Sequence, residues 1–171
     1  VFVTATAETG HLPDFSSLST KVLDRAVLCY LCSPANPQGS VADADYLEQL
    51  IGLARTHNFL LAVDECYGEL YDIAPPPGAL EICARIPGGG FDNVVVFHTL
   101  SKRSSVPGLR SAFMCGDPLV VAAFARLRAY SAATMPGPVL AASAALWDDD
   151  VHVAEARDHY RAQFDLAERI L

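Results

Sequence analysis

The chain has 171 residues, 51% of them apolar and 19% charged, with 20 Asp and Glu against 12 Lys and Arg for a formal net charge of −8. The apolar richness excludes a disordered chain, and an acidic balance without a basic stripe argues against a nucleic-acid footprint. No apolar run approaches the roughly 20 residues of a membrane-spanning helix.

The first residues, Val1–Thr6, read as a strand. They have no initiator Met, basic n-region or cleavage pattern of a secretory signal. Ala26–Cys32, Phe59–Val63 and Asn93–His98 are nearly all apolar, as expected of central strands covered on both faces in a mostly parallel sheet. Ser111–Cys115 reads as a fifth strand. Asp43–His57 sets Leu47, Leu50, Ile51 and Ala54 on one helical face. Asp117 and Pro118 open the next helix, as N-cap and first helical residue. An alanine-rich helix follows Gly137-Pro138 and runs through Trp147. The last helix, from about Asp150, repeats Val153, Ala156, Tyr160, Phe164, Ala167 and Leu171 at spacings of three and four. That is a long apolar seam with no C-cap, and it is expected to be buried. A chain that begins inside a strand and stops inside a helix reads as a segment of a longer protein. Loops are expected at 8–19, 33–40, 72–78 and 87–92, the last two broken by Pro75-Pro76-Pro77 and Gly88-Gly89-Gly90. Strands alternating with helices give an α/β layered domain with right-handed crossovers.

The five cysteines, Cys29, Cys32, Cys66, Cys83 and Cys115, are odd in number and do not form a disulfide framework. Cys29 and Cys32 make a CxxC, but in a strand these positions face opposite sides and cannot share a metal. No second pair completes a zinc site. Buried, inert thiols in a reducing, cytoplasmic compartment are expected.

Three loops leave the C-terminal ends of three expected central strands: Ser33-Pro34-Ala35-Asn36-Pro37-Gln38-Gly39, Asp64-Glu65-Cys66-Tyr67, and Thr99-Leu100-Ser101-Lys102-Arg103 leading to Pro107-Gly108-Leu109-Arg110. Ligands of open α/β sheets sit at this edge. Singly, each residue has a plain reading: Asp64 as a turn cap, Asn36-Pro37 as a turn, Lys102-Arg103 as a solvated pair, Tyr67 as a half-buried aromatic. Together they match one ligand. A desolvated lysine can form a Schiff base. An aspartate can hold a pyridinium proton, and an arginine with hydroxyls binds a phosphate. An amide and a phenol suit a phenolate oxygen. Aldehyde, pyridine nitrogen, phenolic oxygen and phosphate describe pyridoxal 5'-phosphate. No phosphate-loop GxxxxGK[ST] occurs.

Asn36-Pro37-Gln38-Gly39, Asp64-Glu65-Cys66-Tyr67, Ser101-Lys102 and Gly108-Leu109-Arg110, with eight residues from Lys102 to Arg110, resemble the motif set of the class I/II aminotransferases of fold type I. The resemblance implies a three-layer α/β sandwich, with residues 1–148 in the central part of the cofactor-binding large domain and 149–171 starting the long helix to a small domain. It implies that Lys102 bonds the cofactor, Asp64 pairs with its ring nitrogen, Asn36 and Tyr67 hold its phenolic oxygen, and Arg110 and Thr99 bind its phosphate. Lys102, Asp64 and Tyr67 are the expected catalytic residues, and no metal is expected. The family's usual Ser at position 99 is here a Thr, which keeps the hydroxyl.

Longer stretches, including Gly10–Phe15, Leu31–Gly39, Asp64–Tyr71, Leu100–Arg110 and Ala144–Val153, are similar to the succinyldiaminopimelate aminotransferases of bacterial lysine biosynthesis. Transamination of an N-succinylated diamino acid with 2-oxoglutarate is the function this implies. A homodimer is implied too, with the 133–138 loop near the contact and the 171 residues alone inactive. The rival readings are a ligand-sensing domain of a transcription regulator, for which a basic DNA-binding segment is missing, and another pyridoxal-phosphate reaction such as β-elimination on the same scaffold.

Overall fold

A computed structural model describes residues 1–131 and 134–171. Four strands form one sheet in the order β1 (Leu28–Cys32), β2 (Leu60–Asp64), β3 (Val94–Thr99) and β4 (Ala112–Gly116). The first three run parallel, and β4 is antiparallel to β3. The helices are α1 (Thr20–Leu23), α2 (Ala44–His57), α3 (Ala79–Arg85), α4 (Leu100–Arg103), α5 (Pro118–Ser131), α6 (Gly137–Asp148) and α7 (Val151–Ile170).

The apolar runs do what their composition dictates. Leu61, Ala62 and Val63 of β2, and Val94, Val95 and Val96 of β3, are all buried in sequence, so both faces of these strands are covered. β1 is an edge of this sheet, with Leu31 buried and Tyr30 exposed. On one face, Leu31, Leu61, Val63, Val94 and Val96 pack with Leu47, Leu50, Ile51 and Ala54 of α2 and with Ile82 and Cys83 of α3. Each large side chain so buried stabilises by about 1.5–3 kcal/mol relative to exposure. α2 starts where the Asp43 side chain accepts from Tyr46 N at 2.8 Å and ends at Asn58 in the left-handed region. The mostly parallel sheet with its flanking helices is the expected α/β architecture.

Four expectations fail. Ala26–Cys32, read as a central strand covered on both faces, forms the edge strand β1, with Leu28 and Tyr30 exposed. Val1–Thr6 is not a strand: only Ala5 pairs, in an isolated antiparallel bridge to Pro13, and Val1 and Phe2 are fully exposed. Strand propensity measures fit to a pleated, half-buried surface, and none of the four strands of this sheet pairs with that run. The seam of α7 is buried only at Val153, while Phe164 and Leu171 are exposed, because no element packs over the distal half. Of the cysteines only Cys83 is buried; the other four, all free thiols, are half-buried because they lie at strand ends or on partly covered faces. Part of the 133–138 loop, Ala133, lies outside the described residues. Among the described residues no helix is long and apolar enough to cross a membrane.

The turn from β4 into α5 is built by Gly116 and Asp117. Gly116 has φ +135°, and a Cβ there would stand 2.2 Å from the Val94 carbonyl oxygen, so no other residue fits. Asp117 caps α5 through Oδ1, which accepts from Leu119 N at 2.9 Å, while Oδ2 accepts from Asn93 N at 2.9 Å at the start of β3. Burial pushes its carboxyl up, but the three backbone donors of Asn93, Val120 and Leu119 outweigh burial and hold it below the usual carboxylate value. Such a group contributes stability that is complete above its unfolded pKa and is lost as pH falls through the lower folded one. Asp117→Ala should cost about 1–2 kcal/mol in urea denaturation of the complete protein near pH 7. The deficit should shrink below about pH 4, the ordinary range of a free aspartate. An unchanged or pH-independent midpoint would contradict this.

Candidate active site

The register of the parallel strands aligns three strand ends. Cys32 pairs with Asp64, and Asp64 with Phe97. The segments that follow β1, β2 and β3 therefore leave the sheet side by side at one edge.

Two of these segments are joined directly. Asn36 Nδ2 donates to the Tyr67 hydroxyl at 2.8 Å, linking the 33–40 loop to the turn after β2. The third reaches the same ring: Lys102 Nζ stands 5.1 Å from the centroid of Tyr67. A cation over a phenol face at this range gains about 0.5–1 kcal/mol where solvent reaches it. Asn36, Tyr67 and Lys102 thus form one cluster drawn from three loops.

Asp64 is the last residue of β2 and half-buried, and its Oδ1 accepts from Cys66 N at 3.0 Å. Cys66 reports on its surroundings. Burial first, then the hydrogen bond and charge of Asp64, push its thiol up to about 12, while the Lys102 ammonium acts in the opposite sense. The Cys66 thiol thus feels both Asp64 and Lys102. It stays neutral, and a neutral thiol is a poor nucleophile. Burial also pushes Cys29 up to about 11.

Thr99 ends β3 and caps α4: its Oγ1 accepts from Ser101 N at 3.1 Å and donates to the Ser111 carbonyl at 3.0 Å. Its one hydroxyl proton is therefore engaged within the fold. Arg110 precedes Ser111 and is held beside Thr99, since Ala112 pairs with Thr99 in the sheet. It has φ +53°, a left-handed conformation uncommon for a residue with a side chain and often found at functional sites. Its exposed guanidinium donates to the Pro107 carbonyl at 3.0 Å. The structure thus joins Asn36, Tyr67 and Lys102, sets Asp64 at the neighbouring strand end, and ties Thr99 to the Ser111 carbonyl just after Arg110.

Sequence reasoning passed over a second polar layer. Glu65 is buried. One carboxylate oxygen accepts from Ala79 N at 2.7 Å, and the other lies 3.1 Å from His98 Nε2. Both line a cavity of ≈ 240 Å³ together with Ser33, Glu69 and Tyr71. Glu69 in turn holds Arg157 of α7, carboxylate to guanidinium at 2.9 Å, and lies 3.7 Å from Arg103. The one local signal was the pair of acids at a strand end, Asp64-Glu65; the partners of Glu65, Ala79 and His98, lie well beyond it in the chain. A wider groove of ≈ 710 Å³ opens beside Tyr67, between the 33–40 and 72–78 loops. Among the described residues no group of three or more His, Cys, Asp or Glu is arranged to hold a metal.

Residues 1–170 match the family model described as aminotransferase class I and II. The chain is 35% identical over 131 residues to the 4-dedimethylamino-4-oxo-anhydrotetracycline transaminase of Streptomyces rimosus, covering 77% of this chain and 36% of that protein. It is 30% identical over 168 residues to an LL-diaminopimelate aminotransferase of Nitratidesulfovibrio vulgaris, covering 96% and 42%. The crystal structure of an aminotransferase from Helicobacter pylori superposes with a TM-score of 0.91 at 38% identity, over 99% of this chain and 45% of that one. A probable N-succinyldiaminopimelate aminotransferase from Thermus thermophilus gives 0.77 at 29%, over 88% and 39%. The chain therefore spans less than half the length of each of these relatives. With its mostly parallel sheet, its loops gathered at one edge and the family pattern running through nearly all its residues, the chain belongs to the class I and II aminotransferases.

Proposed function

We propose that the complete protein is a pyridoxal-phosphate-dependent aminotransferase that moves an amino group from an amino acid to a 2-oxo acid. Members of the family use pyridoxal 5'-phosphate. The observation that carries the reading is the cluster of Asn36, Tyr67 and Lys102, with Asp64 at the neighbouring strand end. These donors fit the cofactor group by group. An amine meets its aldehyde, a carboxylate its ring nitrogen, an amide and a phenol its phenolic oxygen, and a guanidinium with a hydroxyl its phosphate.

When bound, the cofactor supplies a ring that accepts electron density from the substrate carbon bearing the amino group. The residues of this chain do the rest. The Lys102 amine would hold the cofactor at its aldehyde and, as a general base and acid, would take a proton from the donor's Cα and return it. Asp64, as an anion against the ring nitrogen, keeps a proton there. Tyr67, already bonded to Asn36, donates to the phenolic oxygen and orients the ring. Arg110 holds the phosphate through its planar fork. Thr99 joins it by exchanging the Ser111 carbonyl for a phosphate oxygen.

For the amino donor we propose N-succinyl-diaminopimelate, with 2-oxoglutarate as the acceptor, in bacterial lysine biosynthesis. Support comes from the likeness to a probable N-succinyldiaminopimelate aminotransferase and to LL-diaminopimelate aminotransferases. Residues 1–148 then belong to the cofactor-binding domain and 149–171 begin the helix toward a second domain. The working form is a cytoplasmic homodimer.

Lys102 and Lys21 are the two lysines of the chain. Borohydride reduction of the cofactor-loaded protein, followed by peptide mass spectrometry, should label Lys102, and Lys102→Ala should abolish turnover; a label on Lys21 would overturn the assignment. Asp64→Ala should retain the cofactor yet lose most of kcat, so near wild-type transamination by this variant would refute the ring-nitrogen pairing. Hydrogen bonds to charged groups are worth about 1.5–3 kcal/mol each. Arg110→Ala should therefore weaken cofactor binding at least tenfold in equilibrium titration, and unchanged affinity would remove Arg110 from the site.

A further inference from the structure

We infer that Arg103 is a positioning residue for Lys102: it fixes the rotation of α4 and so the direction in which the Lys102 amine points. The inference rests on the reading of Lys102 as the lysine that bonds the cofactor.

α4 is a single turn, Leu100–Arg103, and one turn has no cooperative stability of its own. Its orientation must come from what it holds outside itself. Residues three apart on a helix share a face, so Leu100 and Arg103 form the inner face of this turn. Both are buried, Leu100 at 0% exposure and Arg103 at 7%. Lys102 projects from the flank between them toward the Tyr67 ring. Leu100 is an apolar peg that resists being withdrawn but not being turned. Directional bonds resist turning: the Leu100 N–H donates to the Ser111 carbonyl at 3.1 Å at the start of the turn, and at its other end the Arg103 side chain supplies them.

Its partners come from three elements. Nη1 donates to the Leu146 carbonyl at 2.7 Å and to the Asp149 carbonyl at 3.3 Å, capping the C-terminal end of α6, where a cation is favoured. Nη2 donates to the Asp150 carboxylate just before α7. Nε lies 3.7 Å from Glu69 in the turn after Tyr67. The guanidinium carbon stands 5.2 Å from the centroid of Trp147. A planar fork so held leaves little rotational freedom to the residue before it. The cap residue of the turn adds a second tie: Ser104 Oγ lies 2.8 Å from His152 Nε2 on α7. A solvated lysine–arginine pair, the plain reading of these two positions, would show none of this burial.

The test uses Arg103→Ala and Arg103→Lys in the complete, cofactor-loaded protein, with Lys102→Ala as reference. If Arg103 positions Lys102, Arg103→Ala should lower kcat at least tenfold with KM for the amino donor within threefold of wild type. The absorbance of the Lys102-bound cofactor should titrate at a pH shifted by at least half a unit. Recapture of cofactor by the apoprotein, followed by borohydride trapping at Lys102, should slow in parallel. Arg103→Lys keeps a cation over Trp147 and one donor, and should recover part of kcat and of the titration shift. A role confined to packing predicts something else: a lower urea midpoint for Arg103→Ala, with kcat per folded molecule, titration and recapture unchanged. That result would overturn the inference, as would a variant that does not fold combined with an Arg103→Lys protein showing wild-type kcat and titration. If the wild-type protein itself shows no trapping at Lys102, the reading of the site fails, and this inference with it.

Discussion

The candidate site depends first on the parallel register of β1, β2 and β3. Cys32, Asp64 and Phe97 lie abreast, so the next residues of each segment emerge at one edge with a common origin. A slip of one residue in β2 would turn Asp64 to the opposite side and send Leu61 and Val63 out of the main core. Register and site are therefore specified by the same apolar burial. The two fully covered strands, β2 and β3, carry Asp64 and Thr99 at their ends, and the rigid core beneath them is what makes those positions reproducible.

Beyond the strand ends, precision has to be supplied by polar contacts, because the loops bury little. The 33–40 loop is fixed by the Ser33 hydroxyl, which accepts from Ala42 N at 3.0 Å, and by Asn36 on Tyr67. The turn after β2 is fixed by Glu65 on Ala79 N. The lysine turn is fixed by Thr99 at one end and Arg103 at the other. Asn36 is exposed and meets a half-buried Tyr67, while the other contacts are directional bonds from buried or half-buried groups. Leaving such a group without its partner costs about 1–3 kcal/mol, more when it is charged. Apart from Asn36, the site is thus surrounded by groups that cannot drift without leaving a buried or half-buried polar atom unpaired.

Much of this was legible in the sequence, and the reasons differ element by element. Asp43 and Asp117 announce α2 and α5 because capping is local chemistry. The three loops at the strand ends were legible because residue type and order carry them. α1 and α4 are four residues each and α3 is seven, too short for a helical period to stand out. Val1–Thr6 has strand composition without a neighbour to pair with. Arg103 read as half of a charged dipeptide, since the partners that bury it come from residue 69 and from residues 146–150. Long-range ion pairing leaves no local pattern, so the second polar layer became visible only with the fold.

The attachment of α7 shows which forces hold the polar face of the site. Its apolar residues beyond Val153 stay largely uncovered, with Phe164 and Ile170 exposed, so hydrophobic burial does not hold this helix to the sheet. Two arginines one turn apart do. Arg157 bonds the Glu69 carbonyl at 3.2 Å and its carboxylate at 2.9 Å while lying over the Tyr71 ring at 4.1 Å, and Arg161 donates to the Asp72 carbonyl at 2.8 Å. An exposed ion pair is worth at most about 1 kcal/mol. Arg157 gains more because its guanidinium is largely buried and satisfied by a carboxylate, a carbonyl and a ring together. Glu69 is the shared counter-charge of Arg157, which it binds at 2.9 Å, and of Arg103, 3.7 Å away. The long helix and the lysine turn are therefore registered against one carboxylate, four residues after Glu65 and two after Tyr67. A displacement of α7 strains the contact that sets the orientation of Lys102, which makes the polar layer, and not the apolar seam, the mechanical connection between the helix and the site.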